Sequence, residues 1–347
     1  MIYMKKIQVV TCLCILNAMI FFPFHLFAQE ETGVVEQESG FYYTVQKGDT
    51  LWDLSQRFSD SYWLWPDLWQ ENKQIANPHW IYPGERIRLF HRKGADSFAV
   101  KPDKPKVLAV ISKQEPLKEL PYYYYSPINR VGFIKKEPVV SRGTIFKVKD
   151  NKTLTGVGDL VYIKQKNDED LILGNKYTVY RTFEPLSDKK TKTLIGTQHY
   201  LTGVVEITKI EPRFVLAKVV QSYRAIGVND LLMPYKKRSP KIFLTESQKE
   251  LKGKIIISEA RGSIIGDNAI AFIDKGRMNG VKRGQLYSIY YQEKQRIDRK
   301  NKEDVILAPV DHGTFLVLYT EQSTSTVLIT RSEQSIVPEV AFQSPAH

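Results

Sequence analysis

Tyr43-Thr44-Val45-Gln46-Lys47-Gly48-Asp49-Thr50-Leu51-Trp52 opens, and Ile81-Tyr82-Pro83-Gly84-Glu85-Arg86-Ile87-Arg88-Leu89-Phe90 closes, a segment whose local signals run strand, helix, helix, strand. The β-run Tyr42–Val45 leads into a Gly48-Asp49 turn and then a helix opened by Asp49 or Thr50. Thr50 with Asp53 three residues on is a capping-box pattern. Leu51, Leu54, Ser55 and Phe58 fall at helical spacing and form one stripe to bury. A second helix is predicted after Trp65, with Pro66 in the first turn, where its missing N–H costs nothing, and Leu68, Trp69 and Asn72 following. Pro83-Gly84 then turns the chain into an alternating strand, Glu85–Phe90, with Ile87 and Leu89 inward.

Two anchors in this segment, Val45–Trp52 and Asn77-Pro78 with Ile81-Tyr82-Pro83-Gly84 and Ile87, resemble the LysM module in order and in spacing. The resemblance implies a βααβ fold. It also implies binding of N-acetylglucosamine glycan, as in peptidoglycan or a chitin-like polymer, in a shallow groove between two loops. Carried over residue by residue, Gly48, Asp49, Thr50 and Leu51 form one wall, and Asn77, Pro78, Ile81 and Tyr82 the other. Backbone N–H and C=O groups there would pair with the N-acetyl amide, and an apolar side chain would cover its methyl. Asp49 and Thr50 also have a purely structural reading as helix caps. Trp52, Trp63, Trp65, Trp69 and Trp80 are expected in core or rim packing rather than as sugar platforms. The segment Ser59–Pro66 departs from the family pattern, being longer and carrying two tryptophans.

Residues 1–28 have the order of a secretory signal: Lys5-Lys6, the apolar run Ile7–Phe24, then Leu26-Phe27-Ala28 before Gln29-Glu30-Glu31. Cleavage after Ala28 is the expected outcome, with an uncleaved anchor as the alternative. Both cysteines, Cys12 and Cys14, lie in this segment, so the remainder has none. The formal charge is +12, to which residues 1–28 contribute Lys5 and Lys6 and no acid. A basic exported chain favours anionic neighbours in an envelope. The short runs Lys135-Lys136, Lys189-Lys190 and Lys236-Lys237-Arg238 read as solvated loop charge, not as a nucleic-acid surface.

After the module (41–91), residues 92–126 read as a polar, Pro- and Lys-rich linker on which the module is hinged. Its end, Tyr122–Tyr125 between Pro121 and Pro127, is expected to be a strand with alternate rings buried. Beyond it the chain matches itself at an offset of 110 residues without a gap: Gly143 with Gly253, Tyr177 with Tyr287, Gly203 with Gly313, Ile226 with Ile336. Two mainly-β domains, small barrels or sandwiches, follow at 127–236 and 237–342. Val204–Ile210 with Phe214–Val220, and Thr314–Tyr319 with Thr326–Thr330, are hairpin signals. The glycine spacing of this tail weakly resembles small β-barrel domains of bacterial envelope and flagellar-assembly accessory proteins.

A search for catalytic chemistry is largely negative. Without a cysteine after residue 28, cysteine nucleophiles are excluded. His79, His91, His199, His312 and His347 are scattered, with no zinc-ligand spacing. No cofactor or metal is expected. The sequence is thus expected to be a multidomain, non-catalytic, exported protein, periplasmic or wall-associated. It would hold tandem β-domains on glycan, with no nucleic-acid partner and no membrane span after signal cleavage. The alternatives are an envelope assembly or secretion accessory, partnered by an envelope protein complex and only localised by its LysM module, and an unrecognised cell-wall hydrolase.

Overall fold

The computed structural model describes residues 39–59, 61–89, 120–152, 155–166, 171–298 and 303–345. The expected signal segment, with Cys12 and Cys14, and residues 92–119 of the expected linker lie outside these ranges. No helix among the described residues is long and apolar enough to cross a membrane.

The N-terminal module is β1 (Ser39–Thr44), α1 (Leu51–Ser59), a 3-10 turn at Tyr62–Leu64, α2 (Trp65–Gln70) and β2 (Arg86–Leu89). Thr50 caps α1: its Oγ1 accepts from the Asp53 N–H at 3.1 Å and donates to the Asp53 carboxylate at 2.7 Å. Leu51, Leu54 and Ser55 are buried, as the stripe requires, and Phe58 is half-buried. β1 and β2 pair antiparallel, Tyr43 opposite Ile87 and Phe41 opposite Leu89, which puts all four side chains on the inner face.

The module does not stand on a hinge. Tyr122–Tyr125 forms β3, which pairs antiparallel with β1, Phe41 opposite Tyr123 and Tyr42 opposite Tyr122. Three of its rings are buried rather than alternate ones: Tyr123 and Tyr125 face the module's core, and Tyr122 lies on the opposite face, stacked on Tyr42 at 6.1 Å.

The chain then forms β4 (Phe133–Lys135), β5 (Gly143–Val148), β6 (Leu160–Gln165), β7 (Lys176–Thr182), β8 (Leu186–Ser187), β9 (Leu194–Ile210), β10 (Val215–Ser222) and β11 (Leu231–Pro234). Six of these close on themselves in the order β5-β6-β10-β9-β7-β11, because β10 pairs with both β6 and β9, and β11 with both β5 and β7. β4 and β8 pair instead with the first part of β9, outside the ring. β12 (Lys241–Phe243) returns to β3 and completes the module's sheet in the order β12-β3-β1-β2.

A second barrel follows, built from β13 (Lys252–Ser258), β14 (Ile270–Ile273), β15 (Leu286–Tyr291), β18 (Val310–Thr320), β19 (Ser325–Ser332) and β20 (Ala341–Gln343). Between β15 and β18 stands a separate hairpin, β16 (Lys294–Asp298) with β17 (Glu303–Ile306). The ring order β13-β14-β19-β18-β15-β20 is that of the first barrel, strand for strand. Gly203 and Gly313 hold matching places. A Cβ on either would sit 2.4 Å from the Gln221 carbonyl or 2.1 Å from that of Arg331, so the paired strands approach only over glycine.

Each barrel has its own core, Val161, Val179, Val205 and Ala217 in the first and Ala271, Ile289, Phe315 and Val327 in the second. The module's core is not separate from the second barrel. Leu316, Leu318 and Leu328, on that barrel's outer face, belong to one buried cluster with Phe41, Tyr43, Leu54, Ile87 and Tyr123. Basic residues also depart from the solvated-loop expectation at one point. Lys236 and Lys237 are exposed, but Arg238 turns inward, donating to the Val131 carbonyl at 2.6 Å with its guanidinium 4.5 Å over the Tyr319 ring.

His199 is a core histidine of β9, fully buried and stacked at 4.6 Å on Phe133. Nε2 accepts from the Val139 N–H at 3.0 Å, so the proton sits on Nδ1, 3.0 Å from the Thr197 carbonyl. Burial pushes its pKa down to about 4. The unfolded chain takes a proton near pH 6.5 and the folded one does not. Stability present above pH 6.5 is therefore lost progressively as pH falls toward 4, by an amount on the order of 3 kcal/mol. Urea melts across that window should show the loss in the native chain. A His199→Gln variant, less stable at neutral pH, should lack that part of the slope.

Candidate glycan-binding groove

Both walls of the expected groove are loops at one end of the β1–β2 pair, held together by backbone bonds. The Val45 N–H donates to Glu85 O at 2.8 Å, and the Gly84 N–H donates to Val45 O at 2.9 Å. Strand pairing thus continues as far as Val45 and Gly84, beside both loops.

On the first wall Gly48 has φ +91, a conformation that an L side chain would strain, and the turn it makes brings Asp49 back over Gln46. Asp49 Oδ2 accepts from the Gln46 N–H at 2.7 Å and from the Tyr43 hydroxyl at 2.8 Å. Burial, and next the bond to Asp49, push the Tyr43 phenol up to about 12, so it remains a donor. Asp49 Oδ1 accepts nothing among the described residues. Thr50 is exposed but committed to its cap, and Leu51 lies in the core beneath the loop.

On the second wall the Asn77 carbonyl accepts from the Trp80 N–H at 3.0 Å, and its side chain from the His79 N–H at 3.0 Å, a tight turn around Pro78. Ile81 packs half-buried on the core. Tyr82 is 60% exposed, and its backbone is pinned by Glu85, whose carboxylate accepts the Tyr82 N–H at 2.9 Å. Leu51 and Ile81 thus pack on one core, Thr50 and Tyr82 are exposed, and Asp49 is half-buried and turned back on its own loop.

Two features escaped the sequence reading. Asn72 is fully buried and covers the outer edge of β2: its Nδ2 donates to Leu68 O at 2.6 Å and Arg88 O at 2.8 Å, while its Oδ1 accepts the Arg88 N–H at 2.6 Å. An asparagine on an apolar helix stripe was the available signal. The tryptophans also divide. Trp65 and Trp69 are half-buried packing residues, but Trp52, Trp63 and Trp80 are 40%, 78% and 66% exposed. Trp52 stacks on Tyr62 at 5.3 Å and meets Trp63 edge-on at 5.3 Å, so the lengthened inter-helix segment carries an exposed aromatic group. Among the described residues no group of three or more His, Cys, Asp or Glu is placed to hold a metal ion.

The LysM domain family matches residues 43–90, the segment that carries both walls. A Bacillus subtilis (strain 168) protein, "Uncharacterized protein YqbP", is 40% identical over 57 residues, covering 14% of this chain and 26% of that protein. The chain thus contains a LysM domain, a binding module for N-acetylglucosamine-containing glycans such as peptidoglycan or chitin. The similarity extends to about a quarter of the curated relative.

Asp49 joins the turn to β1 through Gln46 and Tyr43, so Asp49→Ala should lower the module's stability by about 1–2 kcal/mol through the lost acceptor. All five tryptophans lie between residues 52 and 80. The shift should therefore appear in a urea titration followed by tryptophan fluorescence, and an unchanged midpoint would contradict the role given to Asp49.

Proposed function

We propose that this is an exported envelope protein that binds N-acetylglucosamine glycan, in peptidoglycan, and holds its two β-barrels against the wall without acting on the polymer. The observation that supports the reading is the pairing of Val45 with Gly84 and Glu85, which joins the chain just beside the loops Gly48–Leu51 and Asn77–Tyr82. In this site Asp49 Oδ1 accepts from the acetamido N–H, loop backbone groups pair with the amide carbonyl, and Ile81 and the Tyr82 ring cover apolar sugar surface. These are short-range contacts with a neutral ligand, which salt screens little. The barrels are duplicated units in this reading, supported by their common strand order and the 110-residue offset. The signal at residues 1–28 is removed at export.

The module's junction with the second barrel bears on the role. Since one buried cluster holds both, a glycan bound at the groove sets the direction in which that barrel faces, and the protein presents its barrels rather than trailing them on a tether. This favours the envelope-scaffold version of the function over simple retention.

The test is cosedimentation of residues 29–347 with insoluble peptidoglycan across a salt series, with release of muropeptides followed in the supernatant. Point variants replace deletion of the module, because deletion would uncover Leu316, Leu318 and Leu328. Tyr82→Ala alters an exposed side chain and should leave the fold intact while weakening pelleting by about tenfold, the size of a strong single-contact loss. Unchanged pelleting by folded Tyr82→Ala would remove the groove assignment. Strong salt sensitivity would move binding to the basic barrels, and released muropeptides would make the protein a hydrolase.

A further inference from the structure

The two barrels sit in different surroundings, and equivalent surfaces can be compared at the 110-residue offset. The first such surface is the one on which the LysM module rests. Ile270, Leu286, Leu316, Leu318 and Leu328 of the second barrel correspond to Leu160, Lys176, Glu206, Thr208 and Lys218 of the first. There the face has become polar, with Lys176 and Glu206 paired at 3.8 Å. Among the described residues nothing docks on it, and its chemistry suits water.

The second surface behaves in the opposite way. On the second barrel, Ile256, Phe272 and Thr324 are 6%, 0% and 2% exposed. They are covered by the first barrel's additions: Ile134 of β4, Leu186 of β8 and Ile195 of β9. Thr324 and Thr326 donate to the carbonyls of Ile134 and Gly132, at 2.7 and 2.9 Å. The equivalent residues of the first barrel are Phe146, Tyr162 and Phe214. They form an aromatic row on the outer face, with centroids 6.2 and 5.5 Å apart, and Phe146 is 46% exposed. Large apolar side chains grouped on a surface mark an interaction site more often than isolated ones do.

The covering element has an equivalent as well. β8 and the first part of β9 lie between the third and fourth strands of the first barrel, and in the second barrel that place is taken by the β16–β17 hairpin. On its return to β18 the hairpin carries Ile306, Leu307 and Val310, exposed at 63%, 43% and 52%. The β8–β9 part of the internal contact thus has a counterpart in the hairpin, and among the described residues the hairpin's apolar return and Phe146 of the aromatic row both stand exposed.

We propose that copies of this chain associate head to tail, with Ile306, Leu307 and Val310 of one copy packing on the Phe146–Tyr162–Phe214 face of the next. The contact is heterologous, so it propagates as a filament or closes as a ring. It goes beyond glycan binding and does not depend on it, although an array would give each weak groove the benefit of its neighbours.

Sedimentation velocity on residues 29–347 over a concentration series tests this, with Phe146→Glu and Ile306→Glu each checked for native circular dichroism. The native chain should form species larger than dimers as concentration rises, and each variant alone should associate more weakly by about tenfold or more. A mixture of the two variants should then form one-to-one dimers that grow no further, since each keeps the surface the other lacks. A native chain that stays monomeric throughout, association that survives both variants, or a mixture of variants that stays monomeric would overturn the proposal.

Discussion

The pairing of β3 with β1 is the interaction on which the arrangement of the molecule depends. A LysM sheet of two strands leaves one edge of β1 open, and an open edge pairs with whatever extended chain is near. Here the chain's own Tyr122–Tyr125 fills it, and β12 fills the next edge. Four strands in one sheet carry Phe41, Tyr43, Ile87, Leu89, Tyr123 and Ile242 on one face, broad enough to rest on Leu316, Leu318 and Leu328. The opposite face is finished by cations over rings: Arg86 lies 4.6 Å from the Tyr42 ring, and the Lys241 ammonium 4.2 Å from that of Tyr122. Aliphatic stems cover the rings while the charged ends reach water.

A second constraint fixes the barrels to each other. Glu259, at the end of β13, is almost fully buried; its Oε1 accepts the Gly132 N–H at 2.6 Å and its Oε2 a guanidinium N–H of Arg224 at 2.6 Å. Burial pushes the Glu259 pKa up, against the pull of Arg224 beside it. Arg224 in turn donates to the carbonyls of Arg130 and Leu201 and lies 3.9 Å over Tyr200. Such a pair adds little net stability compared with apolar residues of the same shape, but removing one partner strands a buried charge. Its effect is geometric: one orientation of the barrels makes the four bonds of Glu259 and Arg224 together, and small rotations break several at once.

Much of the LysM fold was legible because its signals are local. The Thr50–Asp53 cap, Pro66 in the first turn of α2 and the alternation at Ile87 and Leu89 each act within a few residues. In each barrel the long hairpin, β9 with β10 and β18 with β19, was visible as two alternating runs, and the offset matched one copy to the other; the shorter strands that close each ring carried no such signal. The site residues were reachable only through family resemblance, since nothing local distinguishes Asn77 or Tyr82 from any turn residue. What escaped is non-local. Proline-bounded tyrosines after a polar stretch predict a strand but not its partner, and alternation fails where both faces of that strand are covered. Arg238 sits in a basic run whose first two members are solvated, and its inward turn follows from the Val131 carbonyl, offered by an irregular segment more than a hundred residues earlier. Glu259 carried no signal, because its partners come from the other barrel.

The two barrels share a fold and differ in their surroundings. Their interiors keep the same plan, with Gly203 and Gly313 at the same crossing and Tyr177 and Tyr287 in the same core position, because closure of six short strands admits few alternatives. Their exteriors differ according to what covers them. Leu328 is buried beneath the LysM module, while its counterpart Lys218 is solvated; Phe272 is buried beneath β4 and β8, yet its counterpart Tyr162 remains aromatic. A surface facing only water has no physical need for the row Phe146, Tyr162 and Phe214, and the neighbouring face shows how readily the same barrel accepts lysine, glutamate and threonine instead. The aromatic row is therefore a place where the first barrel's exterior is built like an interior with Phe146 still exposed, and its chemistry is that of a surface made to be covered.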